Sequence, residues 1–333
     1  MSLLNGKTHV AILQIEENPH QTLQELLHMA QNHIAAPIEA AEMTDETCGI
    51  APGKLLLGRA ITEQNSSVGN IAVLNLRRTA KRINSGLLKA EIQRAKSEFM
   101  EQNHVDRISS ARRRTIKQDV LNLLESKRTL SVSGIEFAIL AEKKMVIVDA
   151  TSTNSIDILI GCLAKDLGIC CKWIMRGINP TLNSRRFFTW LYCQSRESGS
   201  ITDCITVSVD GPMELVATDD RFDQVERLTK AKIEGAMVTQ SDELREMLER
   251  HKLLRKAKIS ININGEIFRF TFNADNFTFS NLELPNDCNV DLLDRINSIL
   301  QLNTRMNELY RLWETADMNE RGEQELPHIN GRE

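Results

Sequence analysis

Residues 257–272 read Ala-Lys-Ile-Ser-Ile-Asn-Ile-Asn-Gly-Glu-Ile-Phe-Arg-Phe-Thr-Phe. Apolar and polar side chains alternate on both sides of Asn264-Gly265, which is the spacing of two half-buried strands. An Asn-Gly pair readily adopts the positive φ angles of a two-residue turn. The stretch therefore predicts a β-hairpin whose strands are Ala257–Ile263 and Phe268–Phe272.

The segments on either side of this hairpin continue an α+β pattern. Lys230–Val238 predicts a strand, and Ser241 is suited to cap a helix over Asp242–Lys252, because its hydroxyl can accept a bond from an unpaired first-turn N–H. The helix predicted over Asp291–Trp313 carries a seam of residues at alternating steps of four and three. Such a seam packs either within its own domain or against a partner helix.

The first two hundred residues also indicate mixed elements. We expect strands at His9–Ile15, Lys54–Ile61, Asn70–Leu76 and Ile169–Met175, a hairpin from Ile135–Ala141 and Met145–Ala150, and helices at Gln21–Ile34, Ser155–Leu167 and Asn179–Trp190. The expected domains are α+β units over 1–84 and 131–200, a basic helical arm over 85–130, a C-terminal α+β unit over 201–315 ending in a long helix, and a flexible tail over 316–333. The predicted fold class is α+β, with mixed or antiparallel sheets and long basic helices.

Positive charge is concentrated between Leu76 and Arg128. That stretch contains 14 Lys and Arg against 6 Asp and Glu, whereas the whole chain has a formal net charge of −4. A cationic patch on an acidic protein raises the local concentration of a polyanion, so nucleic acid is the first partner to consider. The alternative is that these side chains only solvate exposed helix faces.

Two further stretches combine cations with other features. Arg250–Lys258 is a second basic run, although cations at a helix C-terminus also complement its dipole. Arg185–Tyr192 interleaves cations with aromatic residues, as base-stacking surfaces do, but burial of Phe188, Leu191 and Tyr192 in a core explains it better.

Signatures of catalysis are missing from the sequence. It has no glycine-rich phosphate loop and no paired histidines of a zinc hydrolase, and its 7 cysteines are scattered as in reduced proteins. A divergent metal-dependent nuclease using Asp149 and Glu142-Lys143-Lys144 is the enzymatic alternative. A solvated turn at 142–144 and an Asp capping the turn at Thr151–Ser155 are simpler. We predict no catalytic residue, metal or cofactor.

The sequence also predicts a cytosolic protein. Its N-terminus lacks the basic and apolar regions of a signal peptide. No uninterrupted apolar stretch approaches the roughly 20 residues that span a bilayer, so no membrane partner is expected.

Several stretches together carry a family resemblance. They are Val10-Ala11-Ile12-Leu13, Leu87-Leu88-Lys89-Ala90-Glu91-Ile92, Lys117-Gln118-Asp119-Val120-Leu121, Met145-Val146-Ile147-Val148-Asp149-Ala150-Thr151-Ser152, Ser241-Asp242-Glu243-Leu244 leading to Lys252 and Lys256, and the helix Leu292–Leu300. In their order and character they resemble the RdgC family of bacterial recombination-associated proteins over nearly the whole chain.

The resemblance implies an RdgC-like α+β homodimer that closes into a ring around double-stranded DNA, in the cytoplasm at the nucleoid. Such a protein binds DNA with little sequence preference and opposes the loading of a RecA-type recombinase. Arg107, Lys252 and Lys256 match basic positions of the family. The family's ring-closing aromatic residue is missing from Ser126–Leu130, and Gly49–Gly53 represents only part of a family loop. A closed ring, an open dimer and a monomer therefore all stay open, as does the preference for duplex or single strand.

The expected DNA-binding residues combine the basic stretches with these matched positions. They are Arg77, Arg78, Arg82, Lys89, Lys96, Arg107, Arg112, Arg113, Arg114, Lys117, Lys127, Arg128, Lys252, Arg255 and Lys256. Besides the nuclease, the other alternative function is a protein-interaction scaffold assembled through the seam of the helix ending at Trp313.

Overall fold

The computed structural model describes residues 3, 6–42, 46–174, 179–197, 200–202, 204–217, 230–235, 238–250, 252–285 and 291–324. The chain divides into two compact units. Unit 1 comprises Met1–Leu26, Ser67–Val73 and Glu136–Glu333, and unit 2 comprises Leu27–Ser66 and Leu74–Ile135.

Strands and helices both run through the chain, as predicted for an α+β protein. The strands are β1 Thr8–Glu17, β2 Glu46–Pro52, β3 Ser67–Val68, β4 Ile71–Arg82, β5 Thr129–Leu140, β6 Met145–Asp149, β7 Cys170–Trp173, β8 Ser200–Thr202, β9 Ile205–Val216, β10 Lys230–Ile233, β11 Leu253–Ile263, β12 Glu266–Asn273 and β13 Thr278–Glu283. The helices are α1 Leu23–Asn32, α2 Glu63–Ser66, α3 Ser85–Asn103, α4 Ser110–Leu123, α5 Thr153–Leu167, α6 Pro180–Glu197, α7 Asp242–Glu249 and α8 Leu292–Gln324, with 3-10 turns at Ile38–Glu42, Glu125–Lys127 and Val238–Gln240.

Unit 1 is built on an antiparallel sheet with the strand order β10-β9-β11-β12-β13-β1-β6. The predicted hairpin is its centre: Ala257 pairs with Phe272 and Ile263 with Glu266, while Asn264 and Gly265 have positive φ angles. Because β1 pairs with both β13 and β6, the first strand joins the C-terminal strands to the middle of the chain. Residues 201–315 therefore belong to the same unit as residues 1–26, which differs from the predicted domain division.

The core of unit 1 lies between this sheet and helices α6 and α8. Phe268, Phe270 and Phe272 point to one face of β12 and are fully buried. On α6, Phe188 meets Phe272 edge-to-face with ring centroids 5.1 Å apart. Leu191 and Tyr192 are also buried, which confirms that Phe188, Leu191 and Tyr192 are core residues.

Unit 2 contains the antiparallel pair β2–β4 and the two helices that follow β4. Strand β2 pairs along β4 from Glu46 opposite Ala80 to Pro52 opposite Leu74. It ends there because the buried Asn75 side chain donates to the carbonyls of Pro52 and Gly53, at 3.1 and 2.8 Å.

Several predicted bounds are wrong. Residues 54–61 form no strand, since a turn closed by the Gly58 N–H and the Leu55 carbonyl leaves Leu55 and Leu57 more than half exposed. The strand predicted to Val238 ends at Ile233. Within the predicted tail, residues 316–324 continue α8, and residues 325–333 lie outside the described part of the chain. Five strands, β2, β3, β8, β9 and β13, are not predicted from the sequence at all.

Helix α8 is buried along the predicted seam. Leu292, Ile296, Ile299, Met306 and Trp313 are all less than a tenth exposed and belong to the core of unit 1. The seam therefore packs inside its own unit. Among the described helices, none is long and apolar enough to cross a membrane.

Candidate nucleic-acid interface

The basic stretch of the sequence folds mainly into two consecutive helices of unit 2. The Asn84 side chain caps α3 by accepting bonds from the N–H groups of Gly86 and Leu87, at 2.8 and 3.2 Å. His104 ends α3 in the left-handed conformation, with a φ of 52°. The Ser109 hydroxyl then caps α4 by accepting a bond from the Arg112 N–H at 3.3 Å. We call α3, α4 and the loop 104–109 the basic hairpin.

A small apolar cluster holds the basic hairpin together. Ile108 from the loop and Ile116 and Val120 from α4 are buried, together with Leu124 at the end of α4. Half-buried residues of α3, including Phe99, pack against them. Since α3 has no fully buried residue, most of its side chains, including its cations, are at least partly accessible to solvent.

The strongest cationic feature is the start of α4. From Arg107 to Lys117 the chain has five Lys and Arg residues and no Asp or Glu. Arg112, Arg113, Arg114 and Lys117 are all exposed. Within the described residues, none of these four makes an ion pair with a carboxylate. Arg112 and Arg113 lie in the first turn of α4, at the positive end of the helix dipole, so the dipole does not stabilise their charges. A bound anion would offset this repulsion.

One of these arginines is held by an aromatic ring. The guanidinium carbon of Arg112 lies 4.7 Å from the centroid of the Phe99 ring on α3. A guanidinium over a ring face is attracted by the ring quadrupole and keeps the N–H groups along its edge available. The two residues are thirteen positions apart, so no local spacing in the sequence reveals this contact.

Helix α3 and the flanks of the hairpin add further cations. Lys89 is exposed and Lys96 is half-buried. Arg82, Arg107 and Lys127 are exposed too, and like the two lysines they have no ion pair among the described residues. Arg94, by contrast, is bound to two carboxylates of its own helix, Glu91 and Glu98, each at 2.8 Å.

Three other expected DNA-binding residues are already bonded to other groups of unit 2. Arg77 is only 4% exposed and donates to the carbonyl of Ala36; burial lowers its pKa, partly offset by the charge of Glu39. Arg78 forms a two-point ion pair with Glu46, and this hydrogen-bonded partner lowers the pKa of Glu46.

The third is Arg128, which pairs with Glu125 at 2.8 Å. Arg77 is therefore a structural residue of the interior. Arg78 and Arg128 are balanced locally by carboxylates, so we leave all three out of the candidate surface.

The second basic run lies in unit 1 and is partly neutralised. Arg255 bonds Asp275 at 2.6 Å and lies 3.4 Å from Glu214. Arg185 of α6 reaches the same Asp275 at 2.8 Å. Burial alone would raise the pKa of Asp275, but the two arginines outweigh it and lower that pKa. Arg255 is therefore a structural residue.

The other two expected DNA-binding residues of this run are Lys252 and Lys256. Both are half-buried, and no ion pair of theirs is found in the described part of the chain. Of the fifteen expected residues, the structure gathers Lys89, Lys96, Arg107, Arg112, Arg113, Arg114 and Lys117 on the basic hairpin.

In comparisons with known proteins, no family model and no curated protein sequence matches the chain. The structural case for a nucleic-acid interface at the basic hairpin therefore depends on the arrangement of its own residues.

The nuclease alternative receives no support from Asp149. Its carboxylate accepts bonds from the Thr8 hydroxyl and the His9 N–H, both at 2.9 Å, so Asp149 fixes the start of β1 rather than the predicted turn at 151–155. Glu142 lies at the β5–β6 turn and accepts a bond from Asn70 at 2.6 Å. Among the described residues, no three His, Cys, Asp or Glu side chains come together as metal ligands.

Proposed function

We propose that this protein binds double-stranded DNA without sequence preference, through the exposed cations of the basic hairpin. The observation that supports it best is the run from Arg107 to Lys117, which has five cations, no carboxylate in sequence and no ion pair among the described residues. Such side chains neutralise phosphates and release condensed counterions, which favours binding to any sequence.

The wider role we propose is that of an RdgC-like homodimer at the nucleoid, which occupies duplex DNA and opposes a RecA-type recombinase. Its support is the resemblance of the quoted sequence stretches. Occupying duplex without reading bases is a mechanism that needs charge alone, so it is consistent with the composition of the hairpin.

The test is a salt titration of binding to two unrelated duplexes of equal length and to a single strand of the same length. Wild-type protein is compared with Arg112→Gln/Arg113→Gln/Arg114→Gln. A matched control, Lys172→Gln/Lys232→Gln/Arg305→Gln, makes the same change in net charge at residues of unit 1 that are already paired with carboxylates.

We expect equal affinity for the two duplexes and a steep loss of affinity with salt. Removing three phosphate contacts should flatten the log–log slope by about 2.7, at roughly 0.9 per phosphate. Between 50 and 200 mM salt, the wild type should therefore lose about 40-fold more affinity than the hairpin variant. A hairpin variant that keeps the wild-type slope, or a control that loses as much slope, would show that binding does not use this surface.

A further inference from the structure

The Phe99–Arg112 contact distinguishes one arginine of the basic hairpin from its neighbours. Arg113 and Arg114 are exposed and make no ring contact among the described residues, whereas Arg112 lies 4.7 Å from the Phe99 ring centroid. The three side chains carry the same charge. They differ in how much conformational freedom each loses when it meets a ligand.

That difference affects binding. Fixing a long, flexible side chain in a complex costs free energy, and a side chain that is already held in place avoids part of this cost. The guanidinium is planar, and its N–H groups lie in that plane. The guanidinium carbon of Arg112 lies over the Phe99 ring, and among the described residues no carboxylate occupies the pair of N–H donors that can bind two oxygens of a phosphate at once.

The backbone around Arg112 is fixed as well. Its own N–H is bonded to the Ser109 hydroxyl, and the N–H of Arg113 bonds the Ser109 carbonyl at 3.0 Å. Phe99 packs against the apolar cluster of the hairpin. Both ends of the Arg112 side chain are therefore held, the backbone end by the α4 cap and the guanidinium end by α3.

We propose that Phe99 is a positioning residue that orients Arg112 for two-point recognition of a single backbone phosphate, while Arg113, Arg114 and Lys117 contribute only charge. This inference rests on the proposed function and deepens it. It assigns the hairpin one oriented phosphate contact within a surface that otherwise acts by electrostatic attraction.

Substitutions that keep the charge test it. At one salt concentration we expect Arg112→Lys and Phe99→Leu each to weaken duplex binding about two- to fivefold, the range of an exposed cation–π contact. Arg113→Lys and Arg114→Lys are the matched controls and should stay within about 1.5-fold of wild type, because a point charge serves them equally well. None of the four should change the salt slope, because the number of neutralised phosphates is unchanged.

Two more variants separate positioning from folding. Phe99→Trp retains a ring and should restore wild-type affinity. The double variant Phe99→Leu/Arg112→Lys should be no weaker than the weaker single variant, because both remove the same contact. Hydrogen exchange over residues 85–124 in Phe99→Leu and Phe99→Trp reports whether the hairpin is intact.

The outcomes are distinct. If Arg112→Lys binds duplex as tightly as Arg113→Lys and Arg114→Lys, the positioning role is refuted. Because Arg112 is exposed, this comparison is valid even if Phe99→Leu unfolds the hairpin. Equal losses for Phe99→Leu and Phe99→Trp would also refute it. If the wild type binds no duplex at all, the proposed function fails instead.

Discussion

Leu123 and Leu124 are adjacent at the end of α4 and differ sharply in burial. Leu124 is 0% exposed and completes the apolar cluster of the basic hairpin, while Leu123 is 63% exposed. We expect Leu124→Ala to destabilise the hairpin and Leu123→Ala to be nearly neutral. Both substitutions remove a leucine side chain, at adjacent positions, without altering any charge.

The magnitude follows from the small size of the cluster. A buried Leu→Ala substitution costs about 2–5 kcal/mol, and the lower part of that range applies where neighbours can collapse into the space. Only four buried residues form this cluster, and α3 packs against it with half-buried residues, so we expect about 2–3 kcal/mol for Leu124→Ala. An exposed substitution such as Leu123→Ala should change stability by less than about 0.5 kcal/mol.

Hydrogen exchange is the appropriate assay, since it reports on the amides of the hairpin itself, whereas Trp173, Trp190 and Trp313 all belong to unit 1. Where exchange follows the opening equilibrium, amides in residues 85–124 should exchange roughly 30- to 140-fold faster in Leu124→Ala. DNA affinity should fall in the same variant. Equal protection in the two variants would refute the packing that we describe for the hairpin.

Two further predictions concern unit 1, where tryptophan fluorescence during urea unfolding is the measurement. Asp275→Asn, which breaks the links to Arg185 and Arg255, should cost about 2 kcal/mol near neutral pH. The folded-state pKa of Asp275 is lowered, so the extra free energy of unfolding of the wild type over Asp275→Asn should be complete above about pH 5 and shrink below about pH 4. If the free energies of unfolding differ by the same amount across this range, the ion pairs are contradicted. Gly265→Ala should lower the free energy of unfolding by about 1–2 kcal/mol, because Gly265 has a φ of 91°. Gly161→Ala, on the exposed side of α5, is the control and should raise it by about 1 kcal/mol. Losses of equal size in the two variants would mean that the hairpin turn does not need glycine.

Much of the secondary structure can be predicted from local pattern. Local pattern is enough for the hairpin around Asn264-Gly265, for the cap at Ser241 and for the two long basic helices. Each of these depends on residues that lie close together in the sequence. The strand predicted at 54–61 is wrong because local pattern does not reveal bonds to distant parts of the chain. Three consecutive leucines look like a buried strand, but the side chain of Asn75, far along the chain, bonds the carbonyls at which β2 ends.

The candidate site likewise has features that the sequence predicts and features that only the structure reveals. Composition predicts that positive charge gathers between Leu76 and Arg128, and the exposed cations of α4 agree with that expectation. It does not reveal that Arg77 is buried or that Arg78 is paired with Glu46, because charge counts carry no information on side-chain direction or on neighbours from other strands.

By itself, the sequence determined the elements and the concentration of charge, since helix caps, turns and alternation act over a few residues. Only the tertiary structure decided which cations are free to meet a ligand, because their partners come from distant segments. Arg255 is held by Asp275 and Glu214, whereas Arg112 is held by the ring of Phe99, which leaves its charge available for an anion.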